Sequence, residues 1–367
     1  MKKKINLIVF FLFLIGNLFA QKDIPLYSFF TAGHTYGNPN NPHYGLHYPF
    51  VDYIPKLNNY SNMQFGVLTG DVVFTPTTEY WEAAQIDIDK FNMPIKIAAG
   101  NHDYGTEFTD RFGSYYYSFI QNNDLFFILS PVMDQWNISG EQFDFLIHTL
   151  DENSTVVNHI FIFLHELIWW SPYNRYQNII INFTPQYPGS TNFESIVKPL
   201  LQSYPNNFTI YAGDLGATSK VSAIMHDQLE NITLIASGMG SGNKDNIIIT
   251  DVYQDSVQYN LIALNGSNPN ALGKLMDYTI QDSRKDQEKK QIEVFPNPCT
   301  NYISIINRMK SELNIIIFNI YGQIIYSGMA YPYHVNEIDL SNYSSGLYTL
   351  KLFNETYHQE QKIIVNK

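Results

Sequence analysis

Ile95–Asp103 reads IKIAAGNHD, an apolar run broken by a glycine and followed at once by Asn101, His102 and Asp103. A short run without polar alternation fits a strand buried on both faces. Polar groups just beyond such a strand sit at its carboxyl end, where layered α/β proteins gather ligands and catalysis. Four other runs repeat the arrangement. Leu26–Phe30 leads into TAGHTYG (Thr31–Gly37), Phe65–Thr69 into Gly70-Asp71, Ile160–Leu164 into His165-Glu166, and Phe208–Ala212 into Gly213-Asp214-Leu215-Gly216. A glycine-aspartate after one strand is ordinarily a turn, and one histidine is ordinarily a hydrogen-bonded core residue. Five strand ends that supply His, Asp, Asn-His, His and Asp carry the carboxylates and neutral imidazoles that divalent cations require.

Leu125–Leu129 and Ile232–Ala236 read as further buried strands, and helical segments fall between the runs. The clearest helix is Ser139–Leu150, with Ser139 and Gln142 spaced as a capping box and Phe143, Leu146, Ile147 and Leu150 as its apolar stripe. Strands alternating with helices predict a layered α/β domain.

The order GD, GNHD, a buried strand ending in His, and a glycine-rich strand end resembles the calcineurin-like metallophosphoesterases. The resemblance runs from about Asp23 to Leu264, closing on ITLIASGMGSG (Ile232–Gly242) and Ile247–Leu264. It implies a layered β-sandwich flanked by helices, with two metals bridged by an aspartate that activate a hydroxide for in-line attack on phosphorus. Matched residue by residue, it makes Asp71 the bridge and Asn101 and His165 ligands of the second metal. His102 becomes the proton donor and Asp103 its orienting partner. His34 matches the histidine of the family's opening D-x-H. Two positions depart from the pattern, since Ala32 replaces the opening aspartate and GDLG (Gly213–Gly216) replaces G-H-x-H. Asp214 can stand in for one lost imidazole. The second position then has four ligands, and the first keeps only His34 and Asp71. One tight Mn-, Fe- or Zn-like ion is expected, with Ala32→Asp plus Gly216→His restoring a second if the cleft has room.

The loop NPNNPHYGLHYPF (Asn38–Phe50) must run near the same sheet edge, which makes His43 and His47 further candidates for metal or substrate, and Tyr36 a candidate donor to a phosphate oxygen. His148, His159 and His226 read as structural.

Beyond this body the pattern changes. Residues 279–291 read as a linker, within which QDSRKDQEKKQ (Gln281–Gln291) holds no apolar residue. From residue 292 to 367 only short strands remain: Tyr302–Ile306, Leu313–Phe318, Gln323–Tyr326, Leu347–Phe353 and Gln361–Val365, with turns at Asn319–Gly322 and Ser344–Gly346. This is the pattern of a small all-β sandwich. VFPNPCTNYISI, IIIFNIYGQIIYS, IDLSNYSSGLYTLKLF and KIIVNK resemble the type A C-terminal sorting domain of type IX secretion. At the other end Lys2-Lys3-Lys4, an apolar run Ile5–Phe19 and Ala20 predict a signal peptide over residues 1–20, leaving 21–278 as the large domain. Together the two ends imply export to the exterior or cell surface of a Gram-negative bacterium, with the secretion machinery as partner and no transmembrane segment in the mature protein.

The net charge of −12 excludes a protein that grips nucleic acid through its phosphates. A phosphate ester remains open as substrate, because a bound cation reverses the local field. No basic cluster suits a polyphosphate. Two functions fit the residues. One is a metal-dependent hydrolase of a small-molecule or glycan-linked phosphate ester. The other is an inactive binding module of the same fold for a surface glycan or protein. His102 and Asp103 favour the hydrolase, since a binder needs no proton donor beside a metal ligand.

Overall fold

The structure, a computed structural model, describes residues 24–172, 174–183, 191–240, 242–280, 292–309, 311–354 and 356–367. The expected signal peptide and the run 281–291 lie outside the described residues.

The large unit is a sandwich of two mixed sheets. Its strands are β1 (Tyr27–Ala32), β2 (Met63–Leu68), β3 (Ile95–Ile97), β4 (Tyr117–Gln121), β5 (Asp124–Ile128), β6 (His159–Phe163), β7 (Asn207–Ala212), β8 (Ile224–Leu229), β9 (Ile232–Ser237), β10 (Asn246–Val252) and β11 (Val257–Ala263). One sheet runs β11-β10-β1-β2-β3 and the other β4-β5-β6-β7-β9-β8. The central neighbours β1-β2-β3 and β5-β6-β7-β9 are parallel. Their carboxyl ends therefore come out at a common edge within each sheet.

Strand alternation sorts the apolar residues into three cores. Phe29, Phe65, Phe126, Phe161, Phe163 and Tyr211 fill the space between the sheets. Their rings pack both face on, as Phe29 on Phe65 at 5.2 Å, and edge on, as Phe29 on Phe161 at 5.1 Å. Such pairs add about 0.5–1.5 kcal/mol each beyond burial. The alternate residues face outward. Phe30, Ala32 and Leu68 join Trp81 and Ala84 of α3 (Thr78–Ile88), beneath the short helices α1 (Tyr48–Val51) and α2 (Ile54–Asn58). Leu125, Phe127 and Ile162 join Leu146 and Leu150 on the other side.

That second helix-covered face reveals one correction. The helix α5 (Gly140–Asn153), which follows α4 (Thr106–Phe112), begins after Ser139 without a side-chain cap. The Ser139 hydroxyl donates instead to Asp134, and Gln142 is turned inward. Its Oε1 accepts from Ser130 N at 2.7 Å, and its amide donates to Ser130 O at 3.2 Å. A buried glutamine is better satisfied by two backbone groups than by one exposed helix end. The expected capping box does not form.

The C-terminal unit is all β. Strands β12 (Ile292–Phe295), β13 (Tyr302–Asn307) and β16 (Val335–Asp339) form one sheet. The other holds β15 (Ile324–Ala330), β14 (Leu313–Phe318), β17 (Gly346–Phe353) and β18 (His358–Val365). Ile303, Ile305, Ile315, Ile317, Leu350, Leu352 and Ile363 make a core of their own, which includes the free thiol Cys299. Among the described residues no helix is long and apolar enough to cross a membrane.

Candidate metal centre

The strand ends bring three ligand groups together. Asp71, His165 and Asp214 offer atoms that all lie within 4.8 Å of one another, and all three residues are buried. Asp71 follows β2 in a left-handed conformation, φ 52°, which turns its carboxylate inward. The turn that carries His102 packs directly on it, so a Cβ at Gly100 would meet Asp71 Oδ1 at 2.5 Å and His165 Cδ2 at 2.8 Å. Glycine is required there by close approach alone.

Hydrogen bonds settle the imidazole tautomer. His165 Nδ1–H donates to the Thr69 carbonyl at 2.9 Å, so the remaining nitrogen is Nε2. Nε2 lies 3.2 Å from Asp71 Oδ1 and 3.8 Å from Asp214 Oδ1, without a hydrogen bond to either. Asp214 Oδ2 is likewise buried without a partner. A buried acceptor with no donor costs about 1–3 kcal/mol, and more when charged. Two such groups facing the Asp71 carboxylate fit a cation.

The electrostatics agree. Burial opposes a charge on His165, yet Asp71, Asp214 and Glu166 overcome it and hold the imidazole protonated well above its ordinary range. A proton there does what a cation would do. Burial likewise pushes Asp214 well above the carboxylate range. For Asp71 burial works upward too, but His165, His34 and His102 outweigh it and hold the group low.

Other expected residues fall around this centre in different ways. His34, with φ 54°, places Nε2 3.5 Å from Asp71 Oδ2, and burial lowers its pKa to about 4, so it stays a neutral ligand type. His102 donates its backbone N–H to Asp71 Oδ1 at 3.2 Å. Asn101 is exposed at the rim and its side chain makes no hydrogen bond to the cluster. Tyr36 lies inside, its ring 4.4 Å from His34, 5.1 Å from His102 and 5.5 Å from Phe74.

Two expected roles are corrected. Asp103 does not orient the His102 ring. Its Oδ1 accepts from Val72 N and Val73 N at 2.8 and 3.1 Å, and its Oδ2 from Gly100 N at 2.9 Å, so it ties the turn after β2 to the turn after β3. The His102 ring is oriented by the Phe74 carbonyl, which accepts its Nδ1–H at 2.7 Å. His47 and His43 stay outside the cluster. His47 Nε2 is committed to Asp245 Oδ2 at 2.9 Å, and that carboxylate also accepts from Gly240 N and Gly242 N. His43 packs edge-on against Tyr48 at 4.1 Å.

The two substituted positions have been closed by the fold. Ala32 belongs to the apolar core beneath the helices. Gly216 has φ 78°, and a Cβ there would meet Gly238 O at 2.5 Å. Neither position has room for a ligand.

Glu166 was quoted in sequence only as the neighbour of His165. It is buried with both oxygens unpartnered, and burial pushes its pKa up to about 7. No pattern in the sequence signals this.

Residues 293–366 match the family described as the Secretion system C-terminal sorting domain. The C-terminal unit is a secretion-sorting domain. It directs export through the type IX system, to the exterior or the cell surface. Compared with the curated proteins, no sequence matches this chain. Among solved structures, a purple acid phosphatase from yellow lupin (Lupinus luteus) seeds is similar at 12% identity and TM-score 0.47. The match covers 66% of this chain and 52% of that one. A Staphylococcus aureus protein assigned as a 5′-nucleotidase, in complex with alpha-ketoglutarate, is similar at 11% identity and TM-score 0.36, covering 66% and 55%. The chain thus spans about half the length of each.

Proposed function

We propose that the large unit is a secreted, metal-dependent hydrolase of phosphate esters that works with one cation. The observation that carries this reading is His165 Nε2, the nitrogen left over once Nδ1–H donates to Thr69, facing two buried carboxylates. Asp71, His165 and Asp214 would hold the ion, with Asn101 and His34 beside it. A bound divalent cation supplies Lewis acidity toward a phosphoryl oxygen and makes water a better nucleophile. The chain supplies the rest. The Phe74 carbonyl fixes His102 so that Nε2 is the nitrogen able to pass a proton to the departing oxygen. Asp103 holds the GD and GNHD turns in register. Residues 1–20 serve as the export signal, and the sorting domain acts after the inner-membrane step, in a Gram-negative host.

The closed first position gives the second reading its support. A binding module would keep the cation as a structural plug and need no turnover. The test is metal analysis of the purified protein, paired with hydrolysis of a chromogenic phosphate monoester and diester. Metal-dependent turnover that disappears in Asp71→Ala supports the hydrolase. Tight metal without turnover of any ester supports the binder.

A further inference from the structure

We infer that Tyr36 takes the place of the missing second cation as donor to the phosphoryl group, which fits the site to a phosphodiester monoanion rather than a monoester dianion. The inference rests on the single-cation reading above.

The first observation is where Tyr36 sits. Its backbone N–H donates to the Asp71 carbonyl at 3.0 Å, and its ring is wedged against His34 and His102. His34 is the one residue besides the shared Asp71 that the first metal position keeps, and Tyr36 packs on it. The ring is buried, and the hydroxyl has no hydrogen-bond partner among the described residues. Its hydroxyl is a hydrogen-bond donor beside the centre.

Charge is the second observation. Among the described residues no lysine or arginine pairs with Asp71, Asp103, Glu166 or Asp214. One divalent cation only offsets Asp71 and Asp214, which leaves Asp103 and Glu166 nearby without a counter-charge. A phosphate monoester carries a second negative charge above a pKa of about 6. In a buried site with acids on several sides that extra charge is strongly repelled. A diester keeps one charge at every working pH, and one cation with a phenolic donor suffices for it.

The experiment uses the manganese-loaded full chain and two small probes, dimethyl phosphate and methyl phosphate, at about pH 8, where the monoester is a dianion. Dimethyl phosphate should bind about tenfold more tightly. Tyr36→Phe keeps the ring against His34 and His102. It should leave metal content unchanged and weaken dimethyl phosphate by about tenfold, as loss of one hydrogen bond to a charged group does. Methyl phosphate binding as tightly as the diester, or Tyr36→Phe without effect, overturns this inference and leaves the hydrolase reading standing. A protein that takes up no metal overturns both.

Discussion

The Thr69 carbonyl and His165 together decide what the centre can bind. Because that carbonyl accepts the Nδ1–H at 2.9 Å, the nitrogen facing Asp71 and Asp214 is Nε2, in the tautomer that ligates metals. The purified chain should therefore hold about one tight Mn-, Fe- or Zn-like ion. His165→Ala and Asp71→Ala should each abolish it, as elemental analysis after gel filtration would show. Two ions per wild-type chain would contradict the closed first position.

Much of this was legible beforehand because it depends on local patterning. The seven expected strands of the large unit became β1, β2, β3, β5, β6, β7 and β9. Asp71, His165 and Asp214 came together because each follows the carboxyl end of a parallel strand. What escaped depends on tertiary context. β8 alternates Met, His, Asp and Gln, and it is an edge strand whose buried acid Asp227 is matched by Arg175 and Tyr176. That pairing is invisible in a local window. The same holds for His47, which looked like a ligand in a loop until Asp245, far along the chain, claimed its nitrogen. Asp103 looked like a partner for its neighbour, but three backbone N–H groups outcompete one ring.

Restoring the two substituted ligands should fail. Ala32→Asp would place a carboxylate in an apolar core, and burying one unpaired is costly. Gly216→His would force a side chain onto a left-handed backbone and into Gly238 O at 2.5 Å. The pair should destabilise the unit by at least about 2 kcal/mol and leave metal content near one. Differential scanning calorimetry and metal analysis on the same sample decide this. A stable double variant with two ions would show that the cleft has more room than its packing allows.

The large unit should need residues 279 and 280. Thr279 Oγ1 bonds His226 Nδ1 at 2.8 Å, Ile280 N donates to His226 O at 2.9 Å, and Arg175 donates to Ile280 O at 3.2 Å. A chain ending at Ile280 should fold without the sorting domain and stay in the periplasm when expressed in its host. One ending at Tyr278 loses about 2 kcal/mol of these bonds and should melt about 4–8 °C lower. Equal melting temperatures would place the boundary before Thr279.

His102 and Asp103 are neighbours with separable effects. His102 touches Asp71 only through its backbone N–H, at 3.2 Å, and its ring is held by the Phe74 carbonyl, so its side chain is not part of the metal cluster. His102→Ala should keep the ion and the fold while lowering any ester hydrolysis by about 10²–10⁴-fold, as loss of a positioned acid does. The loss should shrink for esters with a very acidic leaving group, which need no proton. Asp103→Ala should behave oppositely. It strips the acceptor from three buried backbone N–H groups, and each orphaned donor costs about 1–3 kcal/mol. Melting temperature and metal content should both fall, with no dependence of the residual activity on leaving-group acidity beyond that of the wild type. If instead Asp103→Ala folds normally, holds its metal and shows the leaving-group dependence of His102→Ala, then Asp103 acts through the imidazole after all, and the Phe74 carbonyl is not what holds His102 in place.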